Sequence, residues 1–231
     1  VSHRILMTPI ELFMHFLWPV SCPVCGKMGN VLCRSCSDEM VQNSPLLCLV
    51  CGERIPCHLH YRRYPYVSGA LHSGMVRELA LSLKYQGKSG TGRIMGRSLG
   101  SVITMPFPQN RIVPVPLHRG SNRKYNQSRW LALGISDVWG VILSDHLKWR
   151  ISEKQSLLGA EARRNMPEGA ILWRGPNLKG QNCTLVDDVK TTGTTLLRGA
   201  EALYDAGAER VLSITWSRSI NANERGDLPW S

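Results

Sequence analysis

Thr184-Leu185-Val186-Asp187-Asp188-Val189-Lys190-Thr191-Thr192-Gly193-Thr194-Thr195 is the stretch that decides the fold. Cys183 to Val186 is a short apolar run, as expected of a buried strand, and it delivers two adjacent carboxylates to its C-terminal end. A loop rich in hydroxyls and glycine then opens into a helix predicted over Thr194 to Tyr204, with Gly207 close to the helix end. Arg210 to Trp216 is apolar again and predicts a second strand. Strand, helix and strand within about 35 residues make a βαβ unit, hence a parallel sheet and an α/β core. Ligands of such sheets bind beyond the carboxyl ends of the strands. A loop of this composition turns backbone N–H groups toward a phosphate, and the helix N-terminus adds its positive end. Gly193 permits close approach. Carboxylates accept hydrogen bonds from vicinal hydroxyls, so one ligand with a diol and a phosphate satisfies both halves.

Working outward, Met75, Val76, Leu79, Ala80 and Leu83 have the spacing of a helical face. Arg111 to Pro116 predicts a short buried strand ended by prolines, and Gln127 to Leu133 a helix. Gly87-Lys88-Ser89 has the ending of a nucleotide-binding P-loop, but Ser82 stands where that loop requires glycine, and the triplet follows a helix instead of a strand. The NTPase reading is therefore set aside.

Seven of the eight cysteines fall between Cys22 and Cys57, and six form the pairs Cys22/Cys25, Cys33/Cys36 and Cys48/Cys51. Cys57-His58-Leu59-His60 follows, with His60 at the same spacing from Cys57 and His58 as the alternative ligand. Two sulfurs separated by two residues suit one tetrahedral zinc, because the turn between them presents both on one side. Four such pairs hold two zinc ions, paired either sequentially or in interleaved fashion. A module this small has little core of its own, so metal is its expected source of stability. Cys183 stands alone and is expected in the core. Paired thiols beside a large cysteine-poor remainder point to a reducing compartment, the cytoplasm.

With 231 residues, 43% of them hydrophobic, the chain has enough apolar material for a full core. The run from Ile5 to Val20 is interrupted by Pro9, Glu11 and His15, which argues against a signal peptide or a membrane span and for an amphipathic helix. The expected organisation is that helix over 1–20, a zinc-binding, zinc-ribbon-like module over 21–61, an α/β domain over 62–218, and a mobile tail over 219–231. The net charge is +11, and between Tyr61 and Trp130 twelve Lys or Arg face one acid, Glu78. Such a field favours polyanions, either nucleic acid or a phosphate-rich small ligand.

Asp187 to Thr195 resembles the phosphoribosyl-pyrophosphate signature of type I phosphoribosyltransferases, and residues 18–218 resemble the ComF/GntX family of competence-associated, phosphoribosyltransferase-like proteins. The cysteine pairs, Leu83-Lys84-Tyr85-Gln86-Gly87, Val113-Pro114-Val115-Pro116-Leu117, Tyr125-Asn126-Gln127, and Arg163-Arg164-Asn165 after Gln155 carry that resemblance. It implies a five-stranded parallel core, with Asp187 and Asp188 at the ribose and Thr191, Thr192, Gly193, Thr194 and Thr195 at the 5-phosphate. Arg119 and Arg123 would approach the pyrophosphate, and Arg150 to Asn165 would form a mobile cover. Lys124 departs from the glycine that usually follows the arginine, and His60 replaces the last cysteine.

The implied function is binding of phosphoribosyl pyrophosphate with magnesium, and transfer of the phosphoribosyl group to an unidentified nitrogenous acceptor, linked to DNA uptake in natural transformation. The rival is a catalytically silent scaffold that binds single-stranded DNA during competence, its basic zone interleaved with Tyr61, Tyr64, Tyr66, Tyr85 and Tyr125. A zinc module that docks protein partners of the uptake machinery is a third expectation.

Overall fold

The computed structural model describes residues 21–28, 32–42, 44–60, 64–85, 89–118, 121, 123, 125–150 and 166–219, with backbone alone at 85 and 89. The helix expected over 1–20, the cover segment from 151 onward, Arg119, Lys124 and the tail beyond Ser219 lie outside the described residues.

Asn182–Lys190 is the strand predicted around Cys183, here named β7, and it is central to a six-stranded sheet. Its neighbours are Arg111–Pro114 (β3) on one side and Arg210–Arg218 (β8) on the other, both parallel to it. Beyond β8 lies Pro65–Leu71 (β2), and beyond β3 lies Ile142–Leu143 (β4), again parallel. Five parallel strands in the order β2-β8-β7-β3-β4 therefore form the core, as the family resemblance implies. Leu47–Cys48 (β1), from the cysteine-rich segment, adds an antiparallel edge to β2, with Leu47 opposite Tyr66 and Cys48 opposite Pro65. Gln42 N–H also donates to Gly69 O at 2.8 Å, so that segment touches the outer edge of β2 at two levels. Leu147–Trp149 (β5) and Ile171–Trp173 (β6) pair separately as an antiparallel ribbon.

β7 runs four residues beyond the predicted end at Val186, and Lys190 lies opposite Arg218. The acidic pair thus belongs to the strand itself, held by the β8 ladder. Along β7, Cys183 and Leu185 pack with one core and Val186 with the other, the period of two that a sheet covered on both faces requires.

One face is covered by Gly74–Tyr85 (α2), Ser89–Val102 (α3) and Gln127–Trp139 (α4), whose Leu79, Leu83, Met95, Leu99, Leu131 and Ile135 are buried. Arg34–Met40 (α1) joins them through Cys36 and a 2.7 Å hydrogen bond from Ser98 Oγ to Ser37 Oγ. The other face is covered by Thr194–Asp205 (α5), whose Leu196, Ala200 and Leu203 pack with Leu185 and Leu147.

Two differences from the sequence reading have simple causes. The helix predicted over Gln127 to Leu133 continues to Trp139, stopping only at Gly140, whose φ of 65° ends it. Residues 89–102 carry no prediction because their glycines weaken a helical pattern, yet those glycines serve the packing. A Cβ at Gly96 would lie 2.1 Å from Leu131 O, so α3 and α4 cross backbone to backbone.

Candidate functional site

β7 brings Asp187 and Asp188 to the carboxyl edge of the sheet. Ser128 Oγ, at the start of α4, donates to Asp187 Oδ1 at 2.7 Å, and the Asp188 amide donates to the same oxygen at 2.8 Å. Lys84 Nζ, from the last turn of α2, lies 3.1 Å from Asp188 Oδ2, and both side chains are largely buried. Desolvation, reinforced by the neighbouring Asp188 charge, pushes the Asp187 carboxyl up to about 7 against the opposing pull of Ser128, the Asp188 amide and Lys84.

The strand then turns through Thr191 and Thr192, both exposed, into Gly193 and α5. Gly193 has φ of 81°, a conformation that glycine takes without steric cost. Thr192 Oγ1 lies 3.0 Å from Thr194 Oγ1 and accepts from the Thr194 amide at 3.4 Å. Carboxylates, loop and helix N-terminus therefore follow one another within nine residues of chain, Asp187 to Thr195, all at one edge of the sheet.

The segment after β3 returns to the same edge. Asn126 caps α4 by accepting from the Ser128 amide at 3.1 Å, while its Nδ2 donates to Val115 O at 2.9 Å. Tyr125 donates its hydroxyl to Leu83 O, next to Lys84. Arg123 Nη1 donates to Gln127 Oε1 at 3.3 Å, so this predicted cation is tied back to α4. His72, one residue past β2, shares a 2.8 Å hydrogen bond with Ser217; desolvation, Lys84 and Arg77 hold its ring below the usual histidine range.

Lys84, Ser128 and His72 escaped the sequence reading as site residues. Lys84 had a signal, since it sits in the Leu-Lys-Tyr-Gln-Gly run that supports the family resemblance. Ser128 and His72 had none, because long-range contacts put them there.

Folding also alters the basic zone. Arg93 and Arg97 both bond Asp137, at 2.7 and 2.9 Å, and Arg129 meets Asp145 at 3.5 Å. With Lys84 on Asp188, acids from outside the linear zone answer four of its twelve cations, and Arg77 pairs with Glu78 inside it.

The cysteines form two groups, and the pairing is sequential. Cys22, Cys25, Cys33 and Cys36 bring their sulfurs together, as do Cys48, Cys51 and Cys57 with a His60 ring nitrogen; within each group all ligand atoms lie within 4.8 Å of one another. A tetrahedral zinc with thiolate bonds of about 2.3 Å sets ligand atoms roughly 3.8 Å apart. The Cys25–Cys33 sulfurs are 3.6 Å apart, Cys51–Cys57 3.4 Å, and Cys57 Sγ to His60 Nδ1 3.5 Å. Both donor sets fit the ion. His60, and not His58, joins the second group.

Backbone amides and neighbouring donors favour the thiolate at Cys22, Cys33 and Cys57, whereas Cys36, facing its neighbours' sulfurs, and Cys51, by burial, are pushed the other way. Burial alone would raise Cys22, but the Cys33, Cys25 and Val24 amides bring it to about 6. In the same way the His60 ring, Cys51 and local amides bring buried Cys57 to about 6. Cys183 is buried in β7, where desolvation pushes its thiol up to about 12, as expected of a core residue.

The segments that carry the two groups pack into different cores. Cys22, Cys33 and Cys36 pack in the core of α2, α3 and α4. Leu47 and Leu49, beside Cys48, pack in the core of α5. Among the described residues no helix is long and apolar enough to cross a membrane.

Residues 142–225 match the family model described as the phosphoribosyl transferase domain. The competence protein ComFC of Bacillus subtilis (strain 168) is 26% identical over 207 residues, which cover 86% of this chain and 78% of that protein. An orotate phosphoribosyltransferase of Rhodopseudomonas palustris (strain TIE-1) is 43% identical over 44 residues, 19% of this chain and 24% of that enzyme. A solved structure of the allosteric regulatory enzyme of purine biosynthesis is 20% identical with a TM-score of 0.40, covering 55% of this chain and 25% of that one. The chain thus spans about a quarter of the length of each of these two enzymes. A match to the phosphoribosyl transferase domain, two cysteine groups and likeness to ComFC over most of its length make the chain similar to phosphoribosyltransferase-like proteins of the ComF family.

Proposed function

We propose that the chain binds phosphoribosyl pyrophosphate with magnesium and transfers its phosphoribosyl group to a nitrogenous acceptor, in the service of DNA uptake. The observation that carries this reading is the continuity of the acidic pair, the positive-φ turn at Gly193 and the N-terminus of α5 at one sheet edge. Asp187 and Asp188 accept hydrogen bonds from the ribose hydroxyls. The hydroxyls of Thr191, Thr192, Thr194 and Thr195 and the first amides of α5 take the 5-phosphate. Asp188 Oδ2 is buried without an aligned hydrogen bond, so the acidic pair has an acceptor to spare for a divalent cation, which Asp187 and Asp188 would hold once Lys84 gives way. Magnesium supplies charge neutralisation of the pyrophosphate leaving group.

Transfer requires an acceptor nitrogen to displace pyrophosphate at the anomeric carbon. Lys84 orients Asp188 in the free protein, and Arg119 and Arg123 are the cations assigned to the departing pyrophosphate. The segment from Arg150 to Asn165 excludes water from the activated sugar. Zinc in the two cysteine groups is structural, and the free thiols fit a reducing cytoplasm.

Calorimetric titration with phosphoribosyl pyrophosphate, with and without magnesium, tests the reading. Wild type should bind, and the Asp187→Asn, Asp188→Asn double variant should bind at least tenfold more weakly. No wild-type binding at millimolar ligand would leave the scaffold silent and make single-stranded DNA handling during competence the better reading. Four of the zone's twelve cations, Lys84, Arg93, Arg97 and Arg129, meet Asp188, Asp137 and Asp145, so the zone offers that alternative less free charge than its linear count suggests.

A further inference from the structure

The second cysteine group touches the phosphate loop itself. A Cβ built on Gly193 would lie 3.5 Å from Leu49 Cδ1 and 3.6 Å from Leu49 O. Leu49 sits between the ligands Cys48 and Cys51, is 2% exposed, and packs in one core with Leu196 of α5. Its amide donates to Tyr64 O at 2.8 Å, and the Cys48 and Gly52 amides close the turn by bonding Glu53 O and Cys48 O at 2.7 and 2.9 Å. A second link runs in parallel: Tyr66, opposite Leu47 in the β1–β2 ladder, places its ring 5.4 Å from Lys190 Nζ at the other end of the loop. The first group's Cys22, Cys33 and Cys36 pack on the opposite face.

We propose that Leu49 is a positioning residue for the phosphate loop, and that metal in the Cys48/Cys51/Cys57/His60 group holds it in place. A short turn bearing two thiolates keeps one backbone shape only while metal closes it. Without metal, Leu49 withdraws its side chain and carbonyl from Gly193, and the loop spends less time in the shape that cradles a phosphate. Apparent affinity then falls with the competent fraction. Linkage runs both ways, so a phosphorylated ligand retards metal loss from this group and not from the other.

The part of this inference that concerns ligand rests on the phosphoribosyl reading, whereas loop order is measurable without ligand. The test uses the zinc-loaded full chain and three variants. Cys51→Ser removes an exposed ligand of the second group, Cys25→Ser removes an exposed ligand of the first, and Leu49→Ala keeps all eight ligands. Metal per chain, hydrogen exchange of amides 191–196 and titration with phosphoribosyl pyrophosphate are measured on each. Cys51→Ser and Leu49→Ala should speed exchange in the loop and weaken the ligand roughly fivefold or more, the range of ordinary site-to-site coupling. Leu49→Ala should do so with both metals retained, and Cys25→Ser should do neither. If Cys51→Ser does not fold, Leu49→Ala decides alone. Loop exchange unchanged in Leu49→Ala, or changed equally by Cys25→Ser, overturns the proposal. If wild type binds no phosphoribosyl pyrophosphate while the exchange pattern appears as stated, the phosphoribosyl reading falls and the positioning role stands.

Discussion

The two cysteine groups share ligand spacing and differ in what they lean on. The first buries Cys22, Cys33 and Cys36 in the core of α2, α3 and α4. The second buries Cys48 and Cys57 and reaches Gly193 through Leu49, which packs on the α5 side. Equal chemistry in unequal surroundings separates two uses of a metal: one replaces missing core, the other sets the shape of a neighbouring turn. The acidic pair lies between these influences, with Lys84 of α2 on Asp188 and Leu49 beside the loop that follows.

The strongest way to break this comparison is to empty the first group. Cys33→Ser with Cys36→Ser should release one metal and lower the melting midpoint by on the order of 10 °C, since each kcal/mol lost costs a chain of this size about 2–4 °C. Differential scanning calorimetry with metal analysis checks this, and an unchanged midpoint would remove the first group's role as core. Next comes the acidic pair. Replacing Asp187 and Asp188 by Asn removes charge-assisted hydrogen bonds worth on the order of 1.5–3 kcal/mol each, and phosphoribosyl pyrophosphate affinity should drop tenfold or more while both metals remain bound. Thr192→Val should weaken binding less, through the phosphate end alone.

Gly96→Ala probes the first face without touching a ligand. Its methyl would meet Leu131 O at 2.1 Å, so α3 and α4 must part, at a cost of about 1–3 kcal/mol. Denaturant titration should register that loss with the hydrogen exchange of 191–196 unaltered. A faster loop would show that the two faces are coupled after all.

A last effect is on pH dependence. Asp187 is raised to about 7 in the folded chain, against about 3.9 for a free carboxyl. A group raised in this way contributes its stability fully below pH 4 and loses it as pH climbs through 7. Wild type should therefore lose stability relative to Asp187→Asn between pH 5 and pH 8. Parallel curves for the two proteins would contradict the buried environment assigned to that carboxylate.

Contiguity in sequence decided which of these features were legible in advance. The strand, acidic pair, loop and helix from Cys183 to Tyr204 form a continuous signal, and so do the cysteine pairs. Their sequential pairing and the choice of His60 over His58 needed coordinates, because spacing alone allows several tetrahedra. Lys84 with Asp188, and Leu49 with Gly193, join residues more than a hundred positions apart, and no local pattern announces such contacts. The basic zone has the same limit: three acids that meet its cations, Asp137, Asp145 and Asp188, arrive only on folding. α3 was hidden because glycines that permit a close helix crossing also erase helical propensity.

The stretch from Gln42 to Leu49 has a further consequence. It runs along the outer edge of β2, bonding Gly69 O through Gln42 and Tyr64 O through Leu49, with β1 between them. Open strand edges are templates for other chains, and proteins cover them with whatever segment is at hand. Here the covering segment is anchored at each end by a cysteine group. Stripping the metals would unfasten this guard and present a bare β2 to its copies, so metal starvation should appear first as self-association of a still largely folded protein.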